Sequence, residues 1–180
     1  MQFVENMILL TKKALNVEQI AQNMVLQKQI KKPNNFSDRD LMRCIIGSMI
    51  KRGNKQKSLR FFDYLIYSIR LTYGVDGLKF LKVLLENVRP KVFLSSKKIA
   101  GIVHKIPTPI SSRKSYSMAV HWFIFAATKR SASIGFARAL FEEVNDLYKN
   151  PNNATLKKRD EFHKLAYINK PFLRYYKFLS

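Results

Sequence analysis

Leu84 to Ile110 reads LLENVRPKVFLSSKKIAGIVHKIPTPI, and the fold turns on how this stretch divides. On its amino-terminal side Leu78, Leu81, Leu85 and Val88 recur at helical spacing, and Pro90 must end that helix because it has no amide donor. From Val92 to Ile110 the β-branched residues, Gly101 and the prolines at 107 and 109 suggest a short strand, a turn and a second strand. A helix followed at once by a hairpin, at about residues 91–112, is therefore expected.

Helices are expected on both sides of it. Ser37, with Asp40 three residues on, offers an N-cap for a helix over residues 37–52 whose stripe is Leu41, Ile45, Ser48 and Met49, closed by Gly53. Leu59, Phe62, Ile66 and Ile69 form the apolar side of a second helix and leave Arg60, Asp63, Tyr67 and Arg70 outside. Gly74 and Gly77 separate it from the third. Beyond the hairpin, Met118, Val120, Trp122, Phe123, Ile124 and Phe125 wrap nearly the whole circumference of a helix over residues 115–130, which should be central and buried. Ser133 is expected to cap a fifth helix with Ile134, Ala137, Phe141 and Val144 inward. A last basic helix should start near Thr155 and break at Pro171.

Residues 1–32 carry Leu15, Ile20, Met24 and Val25 at helical spacing and end in Lys31, Lys32, Pro33, Asn34 and Asn35, a linker-like run. The expected class is mainly α: a bundle of about six helices with a protruding β-hairpin and an extra amino-terminal helical arm. Residues 1–36 are read as extension and linker, and 37–180 as the domain.

Against 47% hydrophobic residues, enough for one sizeable core, stand 33 Lys plus Arg and 12 Asp plus Glu, a formal net charge of +21. Such a surplus repels itself and calls for a polyanion whose phosphates neutralise it with counterion release. It is unevenly spread: Lys91, Lys97, Lys98, Lys105, Arg113 and Lys114 span the hairpin and its flanks without an acid between them. Lys157, Lys158 and Arg159 form a second block, and Lys51, Arg52, Lys55 and Lys57 a third. Lys129, Arg130 and His163 complete the expected RNA-binding set. One block alone reads as a solvated face, but three in one small domain point to RNA. A DNA-binding or membrane-surface protein is the alternative; it would concentrate the charge on one recognition helix or one amphipathic face.

No enzyme is expected. Cys44, the only cysteine, reads as a small buried hydrophobe. His104, His121 and His163 show no metal-ligand spacing and no glycine loop is built to cradle a phosphate, so no metal or cofactor is expected. Glu142, Glu143 and Asp146 read as a solvated helix face or a contact for a basic neighbour. Tyr116, Tyr167, Tyr175 and Tyr176 are read either as base-stacking or as packing residues. No apolar run approaches the roughly 18 residues of a membrane span, so a soluble chain without a membrane partner, and without a homo-oligomer, is expected.

Leu85, Glu86, Asn87, Val88, Arg89, Pro90 resembles Leu, Glu, Asn, Val, Lys, Pro at the end of the third helix in the small-subunit ribosomal protein seven family. Ser96, Lys97, Lys98, Ile99, Ala100, Gly101 then resembles that family's hairpin, and Pro107 falls where its second strand has a proline. Met118, Ala119, Val120, His121, Trp122 is similar to its Leu, Ala, Ile, Arg, Trp, and Ala126 to Arg130 to its Ala, Ala, Arg, Lys, Arg. Lys157, Lys158, Arg159, His163, Ala166, Asn169, Lys170, Phe172 and Tyr175 follow its last helix. Ser111, His121 and Thr128 stand where the family has arginines, and Pro171 interrupts a helix that is normally continuous. The likeness runs from near Leu41 to about Tyr175 and leaves the first 36 residues unmatched.

It implies a structural constituent of the small ribosomal subunit that binds the 3′ major domain of the rRNA and nucleates head assembly. It also implies a hairpin near the exit tRNA and the messenger RNA, and neighbouring head proteins as partners. The richness in Lys, Ile, Phe, Asn, Tyr and Leu suggests an organelle-encoded, mitochondrial protein, with a bacterial or plastid source as the alternative. The first 30 residues, with no Arg and one Thr, do not resemble a transit peptide.

Overall fold

The computed structural model describes residues 36–179, with side chains as far as Tyr176. The expected arm and linker before Phe36 lie outside the described residues. The described part is mostly helical with a two-stranded antiparallel hairpin. In order it comprises α1 (Asp38–Met49), α2 (Lys55–Tyr73), α3 (Gly77–Val88), β1 (Val92–Ile99), β2 (Ile102–Pro109), α4 (Ser112–Ile134), α5 (Phe136–Lys149), α6 (Ala154–Ile168) and a 3-10 segment (Lys170–Leu179). Residues 36–89 and 112–159 form one compact unit, and 90–111 with 160–179 another.

In the first unit local rules set the helix ends. Ser37 accepts from the Asp40 amide through Oγ and the Asp40 carboxylate accepts in return, the capping box expected of them. That pairing with the Ser37 side chain holds the Asp40 carboxyl below the usual carboxylate range. α1 stops at Ile50 rather than at Gly53, because its C-cap turns extended and the chain next adopts positive φ at Arg52 and Gly53. Arg60, Asp63, Tyr67 and Arg70 of α2 face solvent and Phe62 and Ile69 are buried, as the spacing predicts, but Leu65 joins them inside while Leu59 and Ile66 are only half-buried. In α3 the expected Leu81, Leu85 and Val88 are buried together with Leu84, Leu78 is half-buried, and an ion pair of 2.6 Å joins Lys82 to Asp38 across the unit. Leu41, Ile45, Leu65, Ile69, Leu81, Leu85, Phe123 and Leu140 are fully buried in one cluster. At about 2 kcal/mol each, such burial supplies most of the drive to fold.

α4 and α5 depart from the expected boundaries. α4 runs on to Ile134, and the chain breaks at Gly135, whose φ of +81° suits glycine. Ser133 therefore caps nothing; its hydroxyl donates to the Arg130 carbonyl inside α4. Restarting at Phe136 shifts the inward face of α5 to Ala139, Leu140, Glu143, Val144 and Leu147, leaving Ala137 and Phe141 at the margin. Nor is α4 buried all round. Ala119, Val120, Phe123, Ile124 and Ala127 are, but Phe125 and His121 are exposed because their side of the helix has no apolar cover. Cys44 lies half-buried against the core.

In the second unit, Ala100 and Gly101 form a two-residue hairpin loop with φ of 49° and 85°. Two positive φ values mark the primed turn whose twist matches that of the strands. The loop makes Ile99 and Ile102 the hydrogen-bonded closing pair, and antiparallel alternation then puts Leu94 with Pro107 and Val92 with Pro109 in non-hydrogen-bonded pairs. Both prolines thus stand where β1 asks for no amide, which is how a strand tolerates them. Val92 packs with Leu94 on Ala166 of α6, and Nε2 of His163 accepts the Lys91 amide at 3.2 Å. α6 ends at Ile168 because Pro171 has no amide to continue its ladder, and the Phe172 amide bonds back to the Asn169 carbonyl in the tighter 3-10 pattern. The 3-10 segment that follows sets Phe172 and Tyr175 at 4.6 and 5.9 Å from the His104 ring.

Ala100 is the strained half of the turn, since a left-handed non-glycine residue costs about 1 kcal/mol. Ala100→Gly should slow amide hydrogen exchange in β1 and β2, and Gly101→Ala should speed it about fivefold. Equal exchange in both variants and the parent would mean that the loop does not hold the register.

Candidate nucleic-acid interface

Three helices of the described chain begin with basic residues and no acid in the first turn: α2 with Lys55 and Lys57, α4 with Arg113 and Lys114, and α6 just ahead of Lys157 and Lys158. The amino end of a helix already carries partial positive charge, so cations there are unfavourable until an anion arrives. Phosphate satisfies both the helix amides and the ammonium groups. Lys51, Arg52, Lys55, Lys57, Arg113, Lys114, Lys129 and Lys157 are all exposed, as an interface requires.

The expected residues do not all serve one purpose. Lys129 of α4 and Lys158 of α6 converge on Phe125, with their ammonium groups 4.9 and 3.9 Å from its ring centre. Phe125 was missed by periodicity, which read it as core; its position four residues before Lys129 was the available signal. Arg130 points elsewhere. Its guanidinium lies 2.5 Å from Asp146 and 3.2 Å from Glu143, so two carboxylates of α5 already engage it. Arg159 donates to the Asn87 carbonyl. His163, in the other unit, holds the Lys91 amide as described. In the hairpin, cross-strand pairing puts Lys97 on the face of His104, while Lys98 and Lys105 share the opposite face. Both of the latter are exposed and Lys97 is half-buried. The aromatic candidates also divide: Tyr116 is buried, stacked on Phe36 at 4.5 Å, whereas Tyr167 is exposed. Burial, then donation to Glu86 at 2.6 Å, raises the Tyr116 hydroxyl to a pKa of about 12.

Glu143 overturns its reading as part of a solvated face. It is fully buried at the meeting of three elements. Oε1 accepts the Thr155 hydroxyl at 2.7 Å, while Asn153 caps α6 by accepting the Thr155 amide at 2.6 Å. Oε2 faces Arg130 but has no hydrogen-bond donor among the described residues. Burial pushes the Glu143 carboxyl above the usual range, although Thr155, Asn153 and Arg130 pull the other way. The charge of Arg130 is favoured chiefly by Asp146. The first turn of α6, and with it Lys157 and Lys158, is thus fastened to α4 and α5 through one carboxylate. Among the described residues no group of His, Cys, Asp and Glu is placed to hold a metal, and no helix is long and apolar enough to cross a membrane.

A family model described as "Ribosomal protein S7p/S5e" matches residues 17–170. The match starts well before Leu41 and so takes in part of the segment that the sequence reading left unmatched. The chain is similar to the small ribosomal subunit protein uS7 of Orientia tsutsugamushi, 29% identical over 71% of this chain and 73% of the relative. It is 28% identical to uS7c of Bigelowiella natans over 83% of this chain and 94% of the relative. To uS7 of Thioalkalivibrio sulfidiphilus it is 30% identical over 76% and 86%.

Removing this buried side chain leaves a cavity and an unpaired Thr155 hydroxyl, while Asp146 keeps hold of Arg130, so Glu143→Ala should lower unfolding stability by about 3 kcal/mol. The conservative Glu143→Gln isolates the charge. A raised folded-state pKa stabilises the protonated form, a contribution present below the ordinary glutamate range and lost as pH rises through the raised value. Across that window the parent should lose stability relative to Glu143→Gln, as read by urea unfolding at stepped pH. Parallel curves would mean that Glu143 titrates as it does in the unfolded chain.

Proposed function

Because the chain belongs to the ribosomal protein S7p/S5e family, and is a structural, non-enzymatic constituent of the small ribosomal subunit, we propose that it binds the 3′ major domain of the small-subunit rRNA and helps to nucleate the head. The observation that supports this best is the set of basic helix starts of α2, α4 and α6, together with the exposed lysines of the hairpin. The contacts are proposed to be mainly with phosphates, through Lys51, Arg52, Lys55, Lys57, Arg113, Lys114, Lys129, Lys157 and Lys158 in the bundle and Lys97, Lys98 and Lys105 in the hairpin. Arg130, Arg159 and His163, each half-buried, keep those elements in place through bonds within the protein. Phosphate contacts of this kind fix register and orientation rather than read sequence.

The family resemblance supports a hairpin near the exit tRNA and the messenger RNA, and neighbouring head proteins as further partners. Composition supports an organelle, mitochondrial source; the location of the coding sequence decides it, and a bacterial genome would remove that reading. Membership of a ribosomal family leaves the non-ribosomal DNA-binding or membrane-surface alternative without support.

Each phosphate contact contributes about 0.9 to the slope of log affinity against log salt on duplex and about 0.7 on single strands. Replacing Lys97, Lys98, Lys157 and Lys158 by Gln should therefore flatten the slope for small-subunit rRNA by roughly 3 units. An unchanged slope would mean that these four side chains do not meet RNA.

A further inference from the structure

We propose that a cleft between the start of α2 and the α4–α5 junction holds one unpaired nucleotide of the bound RNA, its base against Phe61 and Phe136 and its phosphate on Lys51, Arg52 and Lys57. This rests on the RNA-binding reading above and adds to it a site that contacts a base.

The cleft has a volume of about 390 Å³, more than ten times the roughly 30 Å³ that one water occupies and within the range of small-ligand sites. Its lining holds three cations, two aromatic rings and no acid. Phe61 and Phe136 meet edge to face at 5.1 Å, both half-buried, so their positions are set by packing rather than by solvent. The ammonium groups of Lys51 and Lys57 lie 5.9 and 5.8 Å from the Phe136 and Phe61 ring centres. That is the outer limit of a cation–π contact, a loose hold that a stacking base can replace while the ammonium swings to phosphate. Ser58 is 2% exposed in the cleft wall, and its hydroxyl donates to the Asn54 carbonyl at 3.4 Å, which leaves its oxygen to accept from a ribose or base donor.

The backbone is shaped for this opening. Arg52 takes a left-handed φ of 51° ahead of Gly53, a strain of about 1 kcal/mol for a side-chain-bearing residue. Gly135 at φ 81° starts α5 so that Phe136 enters the cleft. A phosphate alone would need only the lysines; aromatic walls beside them suit a splayed base, which stacks on such rings in single-stranded recognition.

The test uses the full chain with adenosine monophosphate and ribose 5-phosphate, which differ only by the base, followed by NMR amide shifts. Adenosine monophosphate should bind about tenfold tighter, with shifts centred on residues 51–61 and 131–136. Phe136→Leu should bring its affinity down to that of ribose 5-phosphate and leave the latter unchanged. Lys51→Gln, at an exposed position where folding is not at risk, should weaken both. Equal affinity of the two probes, shifts centred elsewhere, or an unaffected Phe136→Leu each overturn the site. The salt-slope result is read separately: if it holds while the probes fail, RNA binding stands on phosphates without this base contact.

Discussion

A single buried carboxylate governs how the basic surface of this chain is displayed. Glu143 binds Thr155 at the start of α6 and faces Arg130 near the end of α4 from its place on α5. Without it the apolar cluster would still draw the helices together, since hydrophobic contact has no direction. What it would not do is fix the angular position of α6, whose helix is short of apolar anchors in its first turns. Burying a charge is costly unless it is paired, and the cost is what makes the arrangement specific: another rotation of α6 would leave the acid without its partner. The outcome is that Lys158 and Lys129, from different helices, meet over the same ring of Phe125.

Charge in this chain therefore does two kinds of work. Lys82, Arg130 and Arg159 spend theirs on the fold, engaging Asp38, the α5 carboxylates and the Asn87 carbonyl. With only 12 acids for 33 basic residues, most of the remainder has no internal counterpart. Placing part of it at helix starts adds to the repulsion in the free chain. The same placement raises the gain when phosphates bind, because each neutralised site relieves the helix end as well as the side chain. A ribosomal protein is well served by this, since it works only in the presence of its polyanion.

The sequence made the helices legible wherever local rules decide them: the Ser37 box, the apolar spacing of α2 and α3, and the stop before Pro90. The hairpin was equally plain, because Gly101 and the flanking β-branched residues act within a few positions of one another. The errors arose where distant partners decide. Glu142, Glu143 and Asp146 look alike in the sequence, yet Glu143 alone turns inward, toward residues on two other helices. Phe125 was read as core for the same reason: which side of α4 lacks cover depends on how α5 and α6 pack. The basic residues of the candidate interface could be found by counting, but counting could not tell that Arg130 is half-buried against two carboxylates while Lys129 beside it is exposed.

The hairpin shows how far register constrains function. With Pro107 and Pro109 in non-hydrogen-bonded pairs, their nitrogens lie on the side of β2 away from β1. A third strand seeking amide donors along that edge would find none at these two positions, which protects a two-stranded ribbon from pairing with other chains. An anionic partner is affected in the same way, since phosphate oxygens also need donors. Along the proline-bearing half of β2 the backbone has few to offer, so under the proposed RNA contact the hairpin relies on side chains nearer its tip. That is where Lys97, Lys98 and Lys105 stand, and the tight Ala100–Gly101 loop holds the two strands in the register that sends Lys98 and Lys105 to one face and Lys97 to the other, beside the His104 ring on which Phe172 and Tyr175 pack.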